Sequence, residues 1–374
     1  MARILHFADL HLDRSFAGLV MAPAEANKRR WELRDALRRI VDLAIERQCD
    51  VITVGGDLYE HDRVTADTGN FLVEQFKRFP GRVLIAPGNH DPYKPDSLYR
   101  HTDWPANVHI FQSMAWQPVE LGGVTFWGVG HTGPAIRDNL LRELRADPNA
   151  ISVALLHGSD MRAVPEGKQT HAPFEQEDVE ACGARYVLLG HYHRMRLWPA
   201  AKPCCGYPGS PEPLDFGEEG PHYVLEVTVD EASVHAEPLP VNAVSYRTER
   251  LNVGTMSSSD EVRQAIVRLA GEGGHTEDIV RVVLEGQVEP EIEIHAASLL
   301  NVTAECFRYL DIVDETVPAF DLPTLREETT TRGTFARKMA ERIEGAATDA
   351  ERARLENALR YGLQAFAGHA VRPR

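Results

Sequence analysis

Short apolar runs alternate with amphipathic stretches along the first 200 residues. The runs are typical of buried strands, since they are short and rich in β-branched residues; they lie within RILHFAD, CDVITVGGD, RVLIAPGNHD, VTFWGVG, ISVALLHG and YVLLGHYH. Apolar residues recur at helical spacing from Trp31 to Cys49, and a second helix is predicted from Thr68 to Phe79. This alternation predicts an α/β fold.

The pattern changes after Pro203. A segment rich in proline and glycine, CCGYPGSPEPLDFGEEGPHY, predicts a structured loop, and YVLEVTVD predicts a closing strand. From about residue 245 a smaller α/β pattern follows, with helices predicted at Ser259–Ala270 and Glu291–Leu300, and then two helices between Gly333 and Phe366. We therefore predict a main domain at 1–244, a small α/β module at 245–325 and a helical segment at 326–374.

Side chains that bind metals follow five of the predicted strands. One HxH pair, as in GHYH, is weak evidence alone, because two ordinary histidines are the commoner explanation. The carboxyl ends of strands in an open α/β sheet converge, however, so that residues distant in sequence can meet there. The candidate ligands are Asp9, His11, Asp57, Asn89, His157, His191 and His193.

This donor set points to particular metals and to a particular chemistry. Mixed oxygen and nitrogen ligands suit borderline divalent ions, and the lack of cysteine argues against a structural zinc site. Seven ligands are too many for one such ion and suit two ions that share a carboxylate. Paired metals are a standard device for the hydrolysis of phosphoesters.

The order of these motifs resembles that of the calcineurin-like metallophosphoesterases: DxH, GGD, GNHD, a later histidine after a strand, and GHxH. Within that superfamily, FADLHLDRSFAGL, GDLYEHDRVT and YPGSPEPLDFGEEG resemble DNA repair exonucleases of the SbcD type, especially the YhaO-like branch. The resemblance is clear to about residue 240 and looser beyond it. It implies a four-layer α-β-β-α sandwich with a small C-terminal α/β capping domain and a helical tail.

The resemblance also implies a role for each motif residue. One metal would be held by Asp9, His11, Asp57 and His193, and the other by Asp57, Asn89, His157 and His191, with Asp57 bridging. His90 would contact the scissile phosphate or the leaving group, and Asp91 would orient it. The cofactors would be two divalent ions, with Mn²⁺ as the first choice and Fe²⁺, Zn²⁺ or Mg²⁺ as the others.

One position departs from the family. Its archetypal nucleases have a histidine three residues after the GD aspartate, where this chain has Glu60, followed by His61. Either His61 takes that role through a shifted loop, or the role is absent. Arg14, Arg194 and Arg196 are further candidates for substrate binding, although structural ion pairs are the alternative for the last two.

The resemblance implies macromolecular partners as well. These are DNA and an SMC-like ATPase of the SbcC or YhaN type, onto which the C-terminal helices would dock. The alternative is that these helices pack on their own domain. A homodimer formed through the Trp31 and Thr68 helices is a further expectation from kinship.

Composition limits these interpretations. The formal net charge of −16 argues against broad charge-driven coating of nucleic acid, although a local basic groove remains compatible with it. The charge favours the alternative function, a small-molecule phosphodiesterase or phosphatase, whereas intact ligand motifs argue against a non-catalytic subunit. The sequence contains no run of 18 apolar residues, so we predict no membrane span. Five scattered cysteines and an N-terminus unlike a signal peptide predict a cytoplasmic protein.

Overall fold

In the computed structural model, the apolar runs form strands and the amphipathic stretches form helices. The structure describes residues 1–16, 21, 23–164, 167, 169–199, 204–272, 277–288, 292 and 294–368. These residues divide into two units, Met1–Tyr246 and Arg247–Arg374. The further division predicted at residue 325 stays a prediction.

The first unit contains two six-stranded sheets. Its strands are β1 (Ala2–Phe7), β2 (Val51–Val54), β3 (Arg82–Ile85), β4 (Val108–Ile110), β5 (Gln117–Leu121), β6 (Val124–Gly128), β7 (Ser152–His157), β8 (Tyr186–Gly190), β9 (Arg196–Trp198), β10 (Cys205–Tyr207), β11 (Tyr223–Val229) and β12 (Val234–Pro240). Its helices are α1 (Pro23–Glu46), α2 (Ala66–Arg78), α3 (Leu98–His101) and α4 (Gln176–Ala181).

The first sheet has the strand order β12-β11-β1-β2-β3-β4. Strands β1 to β4 run parallel, and α1 and α2 form the crossovers from β1 to β2 and from β2 to β3. Such crossovers place their helices on a face of the sheet. The second sheet has the order β5-β6-β7-β8-β10-β9, with β6, β7, β8 and β10 parallel.

The main core lies between the two sheets. It joins Ile4 and Leu84 of the first sheet to Phe126, Leu155 and Leu188 of the second, and all five side chains are fully buried. A second core cluster covers the other face of the second sheet and includes Val179 of α4. Since the inner face of the first sheet is occupied, α1 and α2 cover its outer face. These layers confirm the predicted mixed α/β fold with two facing sheets.

A buried histidine connects the sheets close to their carboxyl ends. His6 of β1 has its Nδ1 atom 3.0 Å from the Thr53 hydroxyl on β2 and its Nε2 atom 2.9 Å from the Leu189 carbonyl oxygen on β8. Gly55 and Gly190 allow the close approach of the backbones here, because a Cβ atom at Gly190 would lie 2.0 Å from the Gly55 carbonyl oxygen. The two strand ends are therefore held against each other.

The second unit has its own sheets and core. Its strands are β13 (Tyr246–Asn252), β14 (Ile279–Glu285), β15 (Gln287–Val288), β16 (Tyr309–Asp314) and β17 (Val317–Pro318), and its helices are α5 (Ser259–Glu272), α6 (Ala296–Thr303), α7 (Leu322–Glu327), α8 (Thr331–Glu344) and α9 (Asp349–Phe366). Strands β13, β14 and β16 form one sheet, with α5 and α6 contributing to its core. Helices α7, α8 and α9 share a separate core cluster, as expected for a helical tail.

None of the described helices is both long enough and apolar enough to cross a membrane.

Candidate metal centre

The predicted ligands converge because each follows a strand that ends at the same edge of the two sheets. Asp9 and His11 follow β1, Asp57 follows β2, and Asn89 follows β3 in the first sheet. The second sheet contributes His157, at the end of β7, together with His191 and His193, just after β8. The site is therefore made by both sheets together.

The backbone at this edge is strained. Four of the candidate ligands have positive φ angles that side-chain-bearing residues rarely adopt: Asp9 (55°), His11 (51°), Asp57 (53°) and His191 (116°). Strain of this kind costs about 1–3 kcal/mol per residue and persists only where the surrounding structure imposes it. It turns the side chains toward one another at the point where the strands end.

Among the residues that the structure describes, three groups of potential metal ligands result, each with its ligand atoms within 4.8 Å of one another. The first contains Asp9, His11 and His193, and the second contains Asp57, His157 and His191. The third group combines His11 and Asp57 with His90.

Asp57 belongs to the second group and also lies close to the first. Its Oδ2 atom is 3.8 Å from Nε2 of His11 and 3.4 Å from Nε2 of His157. The Asn89 side-chain oxygen lies 3.0 Å from the same His157 nitrogen. All seven predicted ligands therefore lie in one cluster, and Asp57 has the position of a shared ligand.

The buried charges of the cluster fit divalent cations. Asp9 is fully buried, and burial raises the pKa of its carboxyl group to about 7. Burial also opposes ionisation of Asp57, but the neighbouring histidines, led by His157, hold the pKa of Asp57 well below its ordinary value. Burial lowers the pKa of His157 and of His191 to about 3, so both imidazoles are neutral and able to bind a metal.

Hydrogen bonds orient the imidazoles from behind. Nδ1 of His157 lies 2.8 Å from the Gly55 carbonyl oxygen, and Nδ1 of His193 lies 2.6 Å from the Glu218 carboxylate. A partner of this kind at one ring nitrogen fixes the tautomer and directs the other nitrogen to a metal. Glu218 comes from the segment GSPEPLDFGEEG, which gives that segment a structural connection to the site.

Asp91 organises the backbone of this edge. Its buried carboxylate accepts hydrogen bonds from the backbone N–H groups of Gly88 (2.6 Å), Asp57 (3.0 Å) and Leu58 (2.7 Å), and from the Tyr99 hydroxyl (2.6 Å). These donors occupy both oxygens. The side-chain partner of His90 is instead Glu60, at 2.9 Å, which corrects the expectation that Asp91 orients His90 directly.

An open cavity of about 590 Å³ exposes the cluster. Polar and basic residues surround the candidate ligands on its walls, including Arg14, His61, Lys94, Gln169 and His171. These side chains can bind an anionic substrate through hydrogen bonds and, where they are basic, through their charge.

The remaining substrate candidates lie elsewhere. Arg194 is exposed, and Arg196 lies 3.9 Å from Asp160 and stacks on the Trp198 ring. Among the described residues, neither arginine lines the cavity. Arg196 thus has the structural ion pair that was the alternative to substrate binding.

Sequence reasoning missed several residues of the cavity wall, among them His171 and Lys94. His171 has an aromatic edge contact with His191 at 5.3 Å between ring centroids, but no strand or motif precedes it in the sequence. Lys94 lies three residues after the GNHD motif, and this closeness in sequence could have identified it as a residue of the site. His131, which follows β6, is buried, and its Nε2 atom lies 2.8 Å from the His157 carbonyl oxygen.

The family model for the calcineurin-like phosphoesterases matches residues 2–195, a span that includes every candidate ligand. The chain belongs to this family. Calcineurin-like phosphoesterases use divalent metals to hydrolyse phosphoesters, in agreement with the donor groups that converge here. This agreement confirms the metallophosphoesterase interpretation of the motifs.

Curated relatives of this calcineurin-like phosphoesterase include two kinds of protein. The metallophosphoesterase YhaO of Bacillus subtilis is 29% identical over 238 residues, which cover 60% of this chain and 57% of YhaO. Two relatives are named DNA double-strand break repair protein Mre11. The one from Methanopyrus kandleri is 26% identical, covering 58% of this chain and 50% of the relative; that from Haloferax volcanii is 25% identical, covering 73% and 62%. The matched regions thus span about half to three fifths of each relative.

Proposed function

We propose that this phosphoesterase is a two-metal phosphodiester hydrolase that acts on DNA in repair, as an exonuclease or endonuclease. Asp57 carries the proposal, because this one buried carboxylate lies within 3.8 Å of ligand nitrogens in two groups, each built from residues of both sheets. The similarity to two relatives named Mre11 supports DNA as the substrate.

The proposed ligand assignment follows the two groups. Asp9, His11 and His193 would hold one ion with Asp57, and Asn89, His157 and His191 would hold the other with the same Asp57. Bound cations would supply Lewis-acid polarisation of the phosphate and neutralise its charge. We propose Mn²⁺ as the first choice, since a mixed oxygen and nitrogen donor set suits borderline divalent ions.

The other residues of the cavity would act on the substrate directly. His90 is half-exposed at the cavity, where its ring can contact the scissile phosphate or the leaving group. Although burial opposes its charged form, the hydrogen bond to Glu60 and the charge of Asp57 raise the pKa of His90 to about 9. Arg14, His61 and Lys94 would bind flanking phosphates.

An SMC-like ATPase of the SbcC or YhaN type is the proposed partner. The segment proposed to dock onto it is the helical tail, α8 and α9. Exposed Phe366 at the end of α9 leaves an apolar side chain available for such a contact. A homodimer through α1 and α2 is proposed on kinship, and exposed Trp31 on α1 is compatible with it.

A nuclease assay tests the proposed function. End-labelled single-stranded and double-stranded DNA would be incubated with Mn²⁺, beside a chromogenic phosphodiester, using wild-type protein and Asp57→Ala. We expect stepwise shortening of the DNA by the wild type and none by the variant, because the shared ligand serves both ions.

The small-molecule alternative predicts a different result. Cleavage of the chromogenic ester without cleavage of DNA, both alone and with the purified ATPase added, would contradict the nuclease proposal. The net charge of −16 is the observation that favours this alternative. DNA cleavage that remained in Asp57→Ala would overturn the assignment of Asp57 as the bridging ligand.

A further inference from the structure

Glu60 contacts two histidines of the cluster at once. One of its carboxylate oxygens lies 2.9 Å from Nδ1 of His11, and the other lies 2.9 Å from Nδ1 of His90. The two rings are neighbours in an edge-to-face arrangement, with centroids 4.8 Å apart. A single side chain is therefore the partner of a candidate metal ligand and of the histidine that faces the substrate.

The backbone holds Glu60 in this position. Its N–H group donates to the carbonyl oxygen of Leu12, next to His11, at 2.9 Å. The N–H group of the following residue, His61, donates to the carbonyl oxygen of His90 at 3.1 Å. The loop that carries Glu60 is thus fastened to both loops that carry its partners.

The identity of the residue matters at this position. A carboxylate has two oxygens, so it can accept an Nδ1–H group from each of two imidazoles. With both Nδ1 atoms acting as donors, Nε2 of each ring is left to face the cavity. A neutral histidine, the residue of the archetypal nucleases, has only one acceptor nitrogen and can serve only one partner.

The neighbouring histidine does not take over this role. Nε2 of His61 lies 3.5 Å from the carboxylate of Asp96, which is an exposed residue. The His61 side chain lines the cavity, but within the described part of the chain only the Glu60 side chain of this pair hydrogen-bonds to the rings of His11 and His90. The departure from the family pattern has therefore changed the chemistry available at this position.

We propose that Glu60 is a positioning residue that aligns His11 for metal binding and His90 for contact with the phosphate. The His90 part rests on the proposed function, whereas the His11 part requires only a metal. Glu60 does not contact the reacting atoms itself. Its loss would act through the two histidines.

Metal binding tests the proposed role of Glu60 toward His11 without any substrate. Calorimetric titration with Mn²⁺ would compare wild type, Glu60→Gln and Glu60→Ala, with Asp62→Asn as a control that removes a nearby acidic charge at an exposed position. Loss of a group that orients a metal ligand costs about 10- to 100-fold in metal affinity or activity. We expect a loss in that range for one of two sites in Glu60→Ala, a smaller loss in Glu60→Gln, and an affinity within about twofold of wild type for Asp62→Asn.

The turnover rate at saturating Mn²⁺ tests the proposed role of Glu60 toward His90. We expect Glu60→Ala to lower kcat by about 10- to 100-fold with little change in KM, because Glu60 orients groups but does not bind substrate. Added formate should restore part of the rate, since a small carboxylate can occupy the vacated space. Combined with His90→Ser, Glu60→Ala should lower kcat less than it does alone, because its action through His90 is already lost.

Each part can be overturned separately. Unchanged affinity at both metal sites in Glu60→Ala would overturn the role toward His11. Additive effects of Glu60→Ala and His90→Ser, or a normal kcat in Glu60→Ala, would overturn the role toward His90. Failure to cleave DNA in any form of the protein would contradict the proposed function while leaving the metal titration informative. Melting curves would identify a variant that does not fold, and Glu60→Gln then provides the decisive comparison.

Discussion

At the scale of single residues, His6 is a polar group beside the site whose role is structural. Its two hydrogen bonds join the sheets, and burial lowers its pKa to about 4. Between its ordinary pKa of 6.5 and this value, the unfolded chain takes up a proton that the folded chain does not. The stability due to neutral His6 is therefore complete above pH 6.5 and is lost as the pH falls toward 4.

Replacement of this histidine should change the pH dependence of stability. We expect His6→Gln to be less stable than wild type at pH 7, and the difference to shrink as the pH falls, by up to about 1.4 kcal/mol per pH unit. Urea denaturation of the metal-free proteins between pH 7 and 4 measures this difference. Parallel stability curves would contradict a neutral buried His6.

The sequence predicted which residues would form the cluster but not their hydrogen-bond partners. Aspartate and histidine are common metal ligands, so short motifs that place them at strand ends already predict a metal site. The partnership of Glu60 with both His11 and His90, in contrast, depends on the three-dimensional arrangement of three loops. His171 lacked even a local signal, because its loop has neither strand nor helical periodicity.

At the scale of elements, α1 is connected to the loop before Glu218 by a buried arginine. Arg29 is fully buried, donates to the Pro213 carbonyl oxygen at 2.8 Å, and forms an ion pair with Glu32 at 2.5 Å. The buried carboxylate of Glu212 lies 3.9 Å away and also contacts Arg39. This arrangement holds the GSPEPLDFGEEG segment against the helix.

Removal of the Arg29 charge should therefore destabilise the protein. We expect Arg29→Met to lower the free energy of unfolding by about 3 kcal/mol or more, since it leaves buried acceptors without their donor. Arg38→Met, on the exposed part of the same helix, should change it by less than about 1 kcal/mol. Chemical denaturation measures both values, and equal effects would refute a special role for Arg29.

Periodicity located the helices better than it located their ends. Helix α1 begins at Pro23, eight residues before the predicted Trp31, because its first turns are polar and carry little apolar pattern. Helix α6 runs from Ala296 to Thr303, whereas Glu291–Leu300 was predicted; residues 289–291 and 293 lie outside the described residues. Short strands such as β4 and β9 have three residues each, too few to show alternation.

At the scale of the whole molecule, acidic charge and cation binding are connected. The chain has a formal net charge of −16, and two of its carboxylates, Asp9 and Asp57, are buried in one cluster. A cation bound only by the folded chain would stabilise the fold, by about 2.7 kcal/mol at a concentration of 100 times Kd.

Metal loading should accordingly raise the melting temperature. We expect Mn²⁺ added to chelator-treated protein to increase Tm by about 5 °C or more. Asp57→Ala should lack most of this increase, while Asp62→Asn should retain it. Differential scanning fluorimetry measures these shifts, and an equal rise in Asp57→Ala would mean that the stabilising cations bind elsewhere.

The division of the cluster between the two sheets has a consequence for the protein during its synthesis. The first sheet supplies Asp9, His11, Asp57 and Asn89, but the last histidines follow β8, at residues 191 and 193. On the ribosome, a growing chain shorter than this holds only part of either proposed ligand set. Metal-dependent hydrolysis at this site would therefore begin only after both sheets have emerged from the ribosome and packed together.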